Sequence, residues 1–308
     1  MNLQLMSMHD RARRRASALA ICLAAASATA ATPAVLPPLN DPPAAQHLPG
    51  KFVWADLVAP DAVAARKFYG ALFGWSFRKI DGGQGGARPY TLAYAGQRPV
   101  AGIIERRPEQ RQAAGRWVAF MSVPDVARAS AHVRESGGTI LVEGRELPDR
   151  GEVAILADPD GVPIGVIKSS SGDQDDFLVD YGEWIWALYQ SPAAERATAF
   201  FQSLGGYEVV VDDGRFAVPH FLLVAQGYSR ASVLQIPGDN PRLQPGWLYF
   251  IRVDDVDAKV ALAEQLGGSV PVPPRGDLLQ GRLAVIADPG GAPVGLLEWA
   301  PDPEEGGT

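Results

Sequence analysis

The chain has 308 residues, of which 47% are hydrophobic and 20% charged, and its net charge is −7 at neutral pH. This length is sufficient for two domains of ordinary size. The negative charge argues against nucleic acid as a partner, because it would repel a phosphate backbone. The single cysteine, Cys22, excludes an internal disulfide and any zinc site built from several cysteines.

The first 30 residues have the three parts of an export signal. Arginines between residues 11 and 15 precede an apolar run over residues 16–26, and small residues follow up to Ala30. We therefore predict a signal peptide over residues 1–30 and a periplasmic or secreted protein. The apolar run is too short to span a bilayer. Lipoprotein anchoring at Cys22 is an alternative that the large isoleucine before it disfavours, and the Sec and twin-arginine routes both remain open.

Removal of this leader takes away four arginines and Asp10, which leaves 24 basic and 34 acidic residues and a net charge of −10. The predicted mature chain contains no cysteine, as suits an oxidising compartment. Residues 31–48 are rich in proline and alanine and show no apolar period, so they are predicted to form an unstructured tether.

A strand–helix–strand–strand–strand pattern begins after the tether. Residues 52–59 are mostly apolar or β-branched and predict a strand, and Asp61 is placed to cap the following helix. Ala64, Phe68 and Leu72 recur on one face of that helix, which is predicted to end at Gly74. Three short strands follow, over residues 75–80, 90–95 and 100–105.

The same pattern occurs four times along the chain. The later copies each begin with a strand that is followed by a capped helix and three more strands. Their first strands are predicted over residues 117–123, 184–190 and 247–253, and their caps at Asp125, at Ser191-Pro192 and at Asp255.

The third and fourth copies repeat the first two in sequence as well as in pattern. Residues 67–75 recur as 199–207, and residues 151–165 recur as 281–295. A repeat of this length indicates two domains that each bury a core. We predict an α+β fold of four βαβββ modules, paired into domains over residues 49–170 and 180–300, in a pseudo-symmetric monomer.

These motifs carry a family resemblance. The Val53–Leu57 strand, the Phe68–Trp75 helix end and the Ala157–Gly161 turn, in this order and duplicated, resemble the vicinal oxygen chelate superfamily. That superfamily includes glyoxalase I, bleomycin-resistance proteins and extradiol dioxygenases. The resemblance covers about residues 50–168 and 182–299 and is nearest to tandem bacterial glyoxalase-like proteins. It implies that each pair of modules wraps around a cup, with a divalent metal ion on the cup floor in the metal-using members.

The resemblance also implies where metal ligands would stand, at the start of the first strand and at the end of the last strand of each module. None of the six positions that can be placed carries a donor side chain, because they hold Trp54, Val118 and Gly165 in the first domain and Trp186, Leu248 and Gly295 in the second. The histidines His132 and His220 and the polar pair Glu105 and Gln235 do not form a substitute set. The sequence therefore predicts no metal and no cofactor, which argues against metal-dependent isomerase or ring-cleaving activity.

Aromatic side chains take the place of the ligands in the predicted cups. Alternation along the first strand puts Trp54 and Asp56 on one face, and Trp186 and Gln190 occupy the corresponding face of the second domain. The candidate ligand-binding residues are Trp54, Asp56, Trp117, Trp186, Gln190 and Trp247. The alternative is that several of these tryptophans fill the cores of the sheets. Asp56 is the candidate catalytic residue, as a general base, and an internal salt bridge to Arg116 is its alternative role.

Three functions are compatible with these features. The first is an exported, metal-free protein that binds or sequesters a small apolar or aromatic molecule. The second is a glyoxalase-like or dioxygenase-like lyase or oxygenase with non-standard site residues. The third is an interaction module whose cups are vestigial.

Overall fold

The computed structural model describes residues 36–80, 89–106, 108–110, 112–212, 217–238, 243–278 and 281–299. The predicted signal peptide, with Cys22, lies outside these residues. Within the described ranges, no helix is long and apolar enough to cross a membrane.

The first half of the chain forms one eight-stranded mixed sheet with two helices. The strands follow the order β2-β3-β4-β1-β5-β8-β7-β6, in which β1 is antiparallel to β5 and parallel to β4. The elements are β1 (Phe52–Ala59), α1 (Ala62–Phe73), β2 (Ser76–Ile80), β3 (Tyr90–Ala95), β4 (Arg98–Glu105), β5 (Arg116–Ser122), α2 (Val126–Glu135), β6 (Thr139–Leu147), β7 (Gly151–Ala157) and β8 (Pro163–Ser169).

The second half repeats this arrangement, with the strand order β10-β11-β12-β9-β13-β16-β15-β14. Its elements are β9 (Trp184–Ser191), α3 (Ala194–Gly205), β10 (Glu208–Val211), β11 (His220–Ala225), β12 (Tyr228–Gln235), β13 (Gly246–Arg252), α4 (Val256–Gln265), β14 (Ser269–Leu278), β15 (Gly281–Ala287) and β16 (Pro293–Glu298). The prediction of four βαβββ modules in two tandem domains is confirmed.

Three of the four helices begin at the aspartates that the sequence indicates. The carboxylates of Asp61, Asp125 and Asp255 accept backbone N–H groups in the first turns of α1, α2 and α4. The prediction that Ser191-Pro192 caps α3 is wrong, because that helix begins one residue later, after Ala193. The side chain of Gln235, from the last strand of the same module, accepts the N–H of Ala194 instead.

A bulge near the start of the central strand of each sheet determines on which face of the sheet two aromatic side chains lie. The register between β1 and β5 shifts between Phe52 and Trp54, so that Phe52 packs on the helix side and Trp54 on the concave side. The same shift in the second sheet places Trp184 on the helix side and Trp186 on the concave side. Simple alternation of side chains would put both members of each pair on one face.

The helix sides of the two sheets share one hydrophobic core. Aromatic rings from both domains meet there, with the centroids of Trp117 and Trp184 separated by 4.8 Å. The indole N–H of Trp184 donates to the carbonyl of Val100 in the first domain, at 2.9 Å. The indole N–H of Trp75 donates to the carbonyl of Gly182, at 2.8 Å. The two domains are therefore joined by a core rather than by a surface contact.

Two reciprocal hydrogen bonds cross this core. The hydroxyl of Tyr189, in the second domain, donates to Asp158 in the β7–β8 turn of the first domain at 2.5 Å. In the opposite direction, Asp288 in the β15–β16 turn accepts the hydroxyl of Tyr69 on α1. In each turn, one carboxylate thus accepts a backbone N–H of the same turn and a tyrosine hydroxyl of the other domain.

The prediction of an unstructured tether is wrong for residues 36–48. They form no helix or strand, but they lie against the first domain. Leu39 is buried, the side chain of Asn40 donates to the carbonyl of Gly172, and the N–H of Ala44 donates to the carbonyl of Ser171. The amino-acid composition of this segment did not predict its docking. The contacts are made by single residues, mostly to backbone groups far along the chain.

The free energy of unfolding should depend on pH through Asp158. Burial raises the pKa of this carboxyl to about 6, so the folded state holds the proton more tightly than the unfolded state does. The stabilisation is complete below pH 4 and is lost as the pH rises through 6, by about 3 kcal/mol for a shift of two pKa units. Asp158→Asn keeps an oxygen that can accept from Tyr189, and we expect it to reduce the loss of stability between pH 4 and pH 7.

Urea unfolding at several pH values measures this effect. Glu146→Gln, which removes an exposed carboxylate from the same domain, serves as the control and should leave the pH dependence unchanged. An Asp158→Asn variant with the slope of the unmodified protein would contradict the assignment.

Candidate functional site

Each domain has a concave sheet face opposite its helices, and we refer to these two faces as cup 1 and cup 2. Cup 1 includes Val53, Trp54, Tyr90, Leu92, Ile104, Val118, Phe120, Val153, Ile155 and Ile167. Cup 2 includes Ile185, Trp186, Leu188, Leu234, Leu248, Phe250, Leu283, Leu297 and Trp299. The two cups are formed by the same strands of the repeat, but they differ in polarity and in what covers them.

Cup 1 contains a compact hydrogen-bonded group of three side chains. The carboxylate Oδ1 of Asp56 accepts the hydroxyl of Tyr90 at 2.6 Å and the indole N–H of Trp54 at 2.8 Å. The indole N–H also lies 3.0 Å from the Tyr90 oxygen. All three side chains are buried. Buried polar groups are stabilising when they are satisfied in this way.

Gly102 makes room for this group. It lies opposite Asp56 in the parallel pairing of β1 with β4. A Cβ atom at this position would be 1.9 Å from the hydroxyl of Tyr90 and 2.2 Å from Oδ1 of Asp56. The glycine is needed for a close approach of side chains and not for an unusual backbone angle.

Burial raises the pKa of Asp56, and the hydrogen bonds from Tyr90 and Trp54 and the charge of Arg150 partly offset this effect. Arg150 is therefore the cation that acts on Asp56. The alternative role of Asp56 in a salt bridge to Arg116 is wrong, because Arg116 is an exposed residue at the start of β5, opposite Val58 rather than Asp56.

The docked N-terminal segment covers cup 1. Leu39 is only 3% exposed and packs with the residues of this cup, and Leu36 lies beside them. Trp54 is consequently 7% exposed although it stands on a concave face. In its described conformation, cup 1 is closed by its own chain.

Cup 2 is more open. Trp186, Leu234 and Leu248 are only partly buried, and Val210, on the same face of strand β10, is exposed. None of the described residues 36–48 packs with the residues of this cup. Cup 2 thus has a partly exposed apolar surface, whereas the corresponding surface of cup 1 is covered by Leu36 and Leu39.

A few polar groups border cup 2. The indole N–H of Trp186 donates to the hydroxyl of Ser232 at 3.2 Å. The amide of Gln190 donates to the carbonyl of Gln244. His220 lies opposite Leu234 in the sheet, and its Nδ1 is 2.9 Å from the carboxylate of Asp212. Contacts within the protein therefore fix the orientation of these three side chains.

The structure separates the residues that the sequence grouped together. Trp54 and Asp56 meet in cup 1, and Trp186 lies in cup 2 with Gln190 at the end of the same strand. The expectation that Trp117 and Trp247 line the cups is wrong. Both pack in the core between the domains, since Trp117 pairs with Leu57 and Trp247 with Tyr189, two residues of the helix side.

Three residues of cup 1 could not be predicted from the sequence. Tyr90 was recognisable only as the first residue of a strand, and Gly102 carries no signal apart from its position in one. Arg150 stands in a turn immediately before the repeated segment that begins at Gly151, where no periodicity indicates the direction of a side chain.

The residues of the cups do not fit a divalent metal ion at the positions that the resemblance implies. Gly165 and Gly295 lie opposite Phe120 and Phe250 in their sheets. A Cβ atom at these glycines would be 2.4 Å and 2.2 Å from the respective rings, so the phenyl rings occupy the space of a ligand side chain. Among the described residues, no group of three or more His, Cys, Asp or Glu side chains is placed to hold a metal.

Gly102→Ala should destabilise the protein by about 1–3 kcal/mol, because the added methyl group must displace Tyr90 or Asp56 from a packed site. Gly276→Ala is the control, since a Cβ atom there would meet nothing within 4 Å. Urea unfolding of both variants measures the difference. An unchanged stability of Gly102→Ala would show that the three-residue group does not have the described geometry.

The comparisons with known proteins agree with this architecture. A model of the Glyoxalase/Bleomycin resistance protein/Dioxygenase superfamily matches residues 51–166. The protein CFP32 of Mycobacterium tuberculosis, whose name calls it a candidate glyoxylase, is 27% identical over 263 residues, covering 84% of this chain and 99% of CFP32. The anthracycline biosynthesis protein DnrV of Streptomyces peucetius is also 27% identical, covering 81% of this chain and 94% of DnrV.

Solved structures with the same fold include a glyoxalase and a dioxygenase. The Mn(II)-bound glyoxalase from Novosphingobium aromaticivorans has a TM-score of 0.55 at 16% identity and covers 82% of each chain. The 2,3-dioxygenase LapB from Pseudomonas sp. KL28 has a TM-score of 0.56 at 13% identity, covering 84% of this chain and 96% of LapB. The family match thus falls on the first domain, and the second domain repeats the fold of the first.

Proposed function

We propose that the protein binds a small apolar, aromatic molecule in cup 2, without a metal ion. The observation that carries the proposal is the difference between two copies of one surface. The apolar face of cup 1 is buried under Leu36 and Leu39, whereas the corresponding face around Trp186 stays partly exposed. A partly exposed apolar surface with a few fixed polar groups is the kind of surface that small molecules bind.

Trp186 is suited to contact a planar ligand. Its only N–H donor is engaged by Ser232, which fixes the orientation of the ring. An indole ring offers a large flat surface, and aromatic stacking contributes about 0.5–1.5 kcal/mol beyond the burial of area. Leu188, Leu234 and Leu248 supply apolar contacts around it. The affinity should therefore be modest unless the ligand also pairs with polar groups at the border of the cup.

The relatives suggest a first probe. Two of them, DauV from a Streptomyces species and DnrV, are named as anthracycline biosynthesis proteins. Anthracyclines are fused-ring aromatic compounds, and a molecule of this shape can cover Trp186 and its neighbouring leucines. A compound of this chemical class therefore serves as the first probe.

An enzymatic function is the second candidate, and one observation favours it. Burial raises the pKa of Asp56, which is the change that a carboxylate needs to act as a general base near neutral pH. Oδ1 of Asp56 is occupied by Tyr90 and Trp54, which lie in the cluster that Leu36 and Leu39 cover. A lyase or oxygenase reaction at Asp56 would thus require the N-terminal segment to move, whereas binding in cup 2 requires no such movement.

The proposal also includes the expectations about location and assembly. Residues 1–30 would direct export to the periplasm or the medium. The four modules would supply both domains within one chain, so that no second copy is needed to complete a cup. Nucleic acid remains an unexpected partner because of the negative charge.

Trp186→Ala should weaken the binding of a fused-ring aromatic probe at least fivefold, as measured by isothermal titration calorimetry. Tyr228→Ala is the matched control, because Tyr228 is an exposed aromatic residue of the same domain that lies opposite Ala225, a residue of the helix-side core. Trp54→Ala should change the affinity less than twofold. Equal losses in the Trp54 and Trp186 variants, or none in either, would contradict the assignment to cup 2.

Elemental analysis of the purified protein should find no stoichiometric zinc, nickel, iron or manganese, and EDTA should not change the affinity for the aromatic probe. The physical reason is that Trp, Val, Leu and Gly offer no donor atoms at the six positions. One metal ion per domain that ligand binding requires would contradict the proposal.

A further inference from the structure

Arg150 is a buried arginine at the edge of cup 1. It ends the turn between β6 and β7, where its N–H donates to the carbonyl of Leu147 and its carbonyl accepts the N–H of Ser170. Its side chain is only 3% exposed. The guanidinium carbon lies 4.4 Å from the centroid of the Trp54 ring, so the side chain reaches over the middle of the cup.

The guanidinium group of Arg150 lacks the hydrogen bonds that such a group normally makes. None of its three nitrogens has a hydrogen-bond partner among the residues that the structure describes. Arginine stays protonated in proteins and carries five N–H donors. A buried cation without hydrogen bonds is costly, and a specific unsatisfied group in a native structure calls for an explanation such as a bound ion or ligand.

The nearby carboxylate does not fill this role. The charges of Asp56 and Arg150 interact, but the hydrogen bonds to the carboxylate of Asp56 come from Trp54 and Tyr90. The ring of Trp54 lies beside both the carboxylate and the guanidinium group. Cup 1 therefore holds a positive charge whose donors are still available.

The other walls of cup 1 indicate the chemical nature of the rest of a ligand that carries an anionic group. They are formed by apolar side chains, among them Val118, Phe120 and Val153. A second arginine, Arg145, lies opposite Val153 and is thus on the same face. The position in the second domain that corresponds to Arg150 is Gln280 in the sequence, so this charge is a property of the first domain alone.

We propose that cup 1 binds a small organic carboxylate, with the guanidinium group of Arg150 paired to the carboxylate and the hydrocarbon part against the apolar wall. A planar guanidinium fork matches the two oxygens of a carboxylate and can form two parallel hydrogen bonds. A purely inorganic anion would satisfy the charge but leave the apolar wall unused. This site is separate from the aromatic site proposed for cup 2.

Access to the site involves the segment of residues 36–44. Leu39 covers the cup, while Asn40 and Ala44 hold the segment by hydrogen bonds to Ser171 and Gly172. A carboxylate ligand enters when this segment lifts and takes the place of Leu39 against the apolar wall. We therefore expect slow association compared with cup 2.

Calorimetric titration with benzoate, acetate and sulfate, at pH 7 and constant ionic strength, tests the proposal. We expect benzoate to bind more tightly than acetate, and sulfate to bind weakly or not at all. Arg150→Gln should weaken benzoate binding at least tenfold. Arg134→Gln is the control, because Arg134 is an exposed arginine of the same domain that pairs with Glu143.

A second variant separates binding from packing. Without ligand, Arg150→Leu should leave the melting temperature unchanged or raise it, because it removes a buried charge that lacks hydrogen bonds. It should also abolish the stabilisation by benzoate. A lower melting temperature in Arg150→Leu together with benzoate binding within twofold of normal in Arg150→Gln would assign Arg150 to packing over Trp54 and overturn the proposal.

Two further results would also overturn it. Equal effects of sulfate and benzoate would indicate a general anion site. Loss of benzoate binding in Trp186→Ala would place the ligand in cup 2. Trp186→Ala should weaken the binding of the aromatic probe, whereas Arg150→Gln should weaken the binding of benzoate. Failure of one proposal can therefore be distinguished from failure of the other.

Discussion

The fold depends on the core that the two domains share between their helix-bearing faces. Rings from both sheets interlock there, and the indole N–H groups of Trp75 and Trp184 donate to backbone carbonyls across the domain boundary. The reciprocal bonds of Tyr189 to Asp158 and of Tyr69 to Asp288 add a polar connection that is itself buried. Because the helix sides are used for this contact, the concave faces are the surfaces left for binding, and each faces away from the other domain.

Those two faces began as copies and now differ through a few residues. Asp56 and Tyr90 belong to the hydrogen-bonded group in cup 1 for which Gly102 makes room, whereas Leu188, His220 and Ser232 hold the corresponding places in cup 2. The N-terminal segment covers only the first of them. Phe120 and Phe250, by contrast, perform the same role in both domains, since each ring lies over the glycine at the position implied for a metal ligand. Both domains thus place an aromatic ring, and no donor atom, at this position.

Much of the fold could be predicted from the sequence, because helix caps, apolar periods and the duplicated turn are local signals. Asp61, Asp125 and Asp255 cap helices as expected, and the two-domain arrangement follows from the repeat. The site was less predictable. The bulge at the start of β1 reverses the face on which Phe52 lies, and the orientation of Trp117 depends on its pairing with Leu57. The contact of Arg150 with Trp54 joins residues 96 positions apart, and the docking of Leu39 depends on groups beyond residue 170. Such contacts arise from tertiary packing and leave no periodic pattern.

The central claim is that an apolar ligand binds in cup 2 without a metal. The seven tryptophans of the chain allow a direct measurement, because each indole N–H gives its own signal in a ¹H–¹⁵N NMR spectrum. Titration with the fused-ring aromatic probe in the presence of EDTA should shift the signals of Trp186 and Trp299, which lie in cup 2, and leave those of Trp75, Trp117 and Trp247 in place. Shifts that appear only after addition of a divalent metal, or that are confined to Trp54, would contradict the claim.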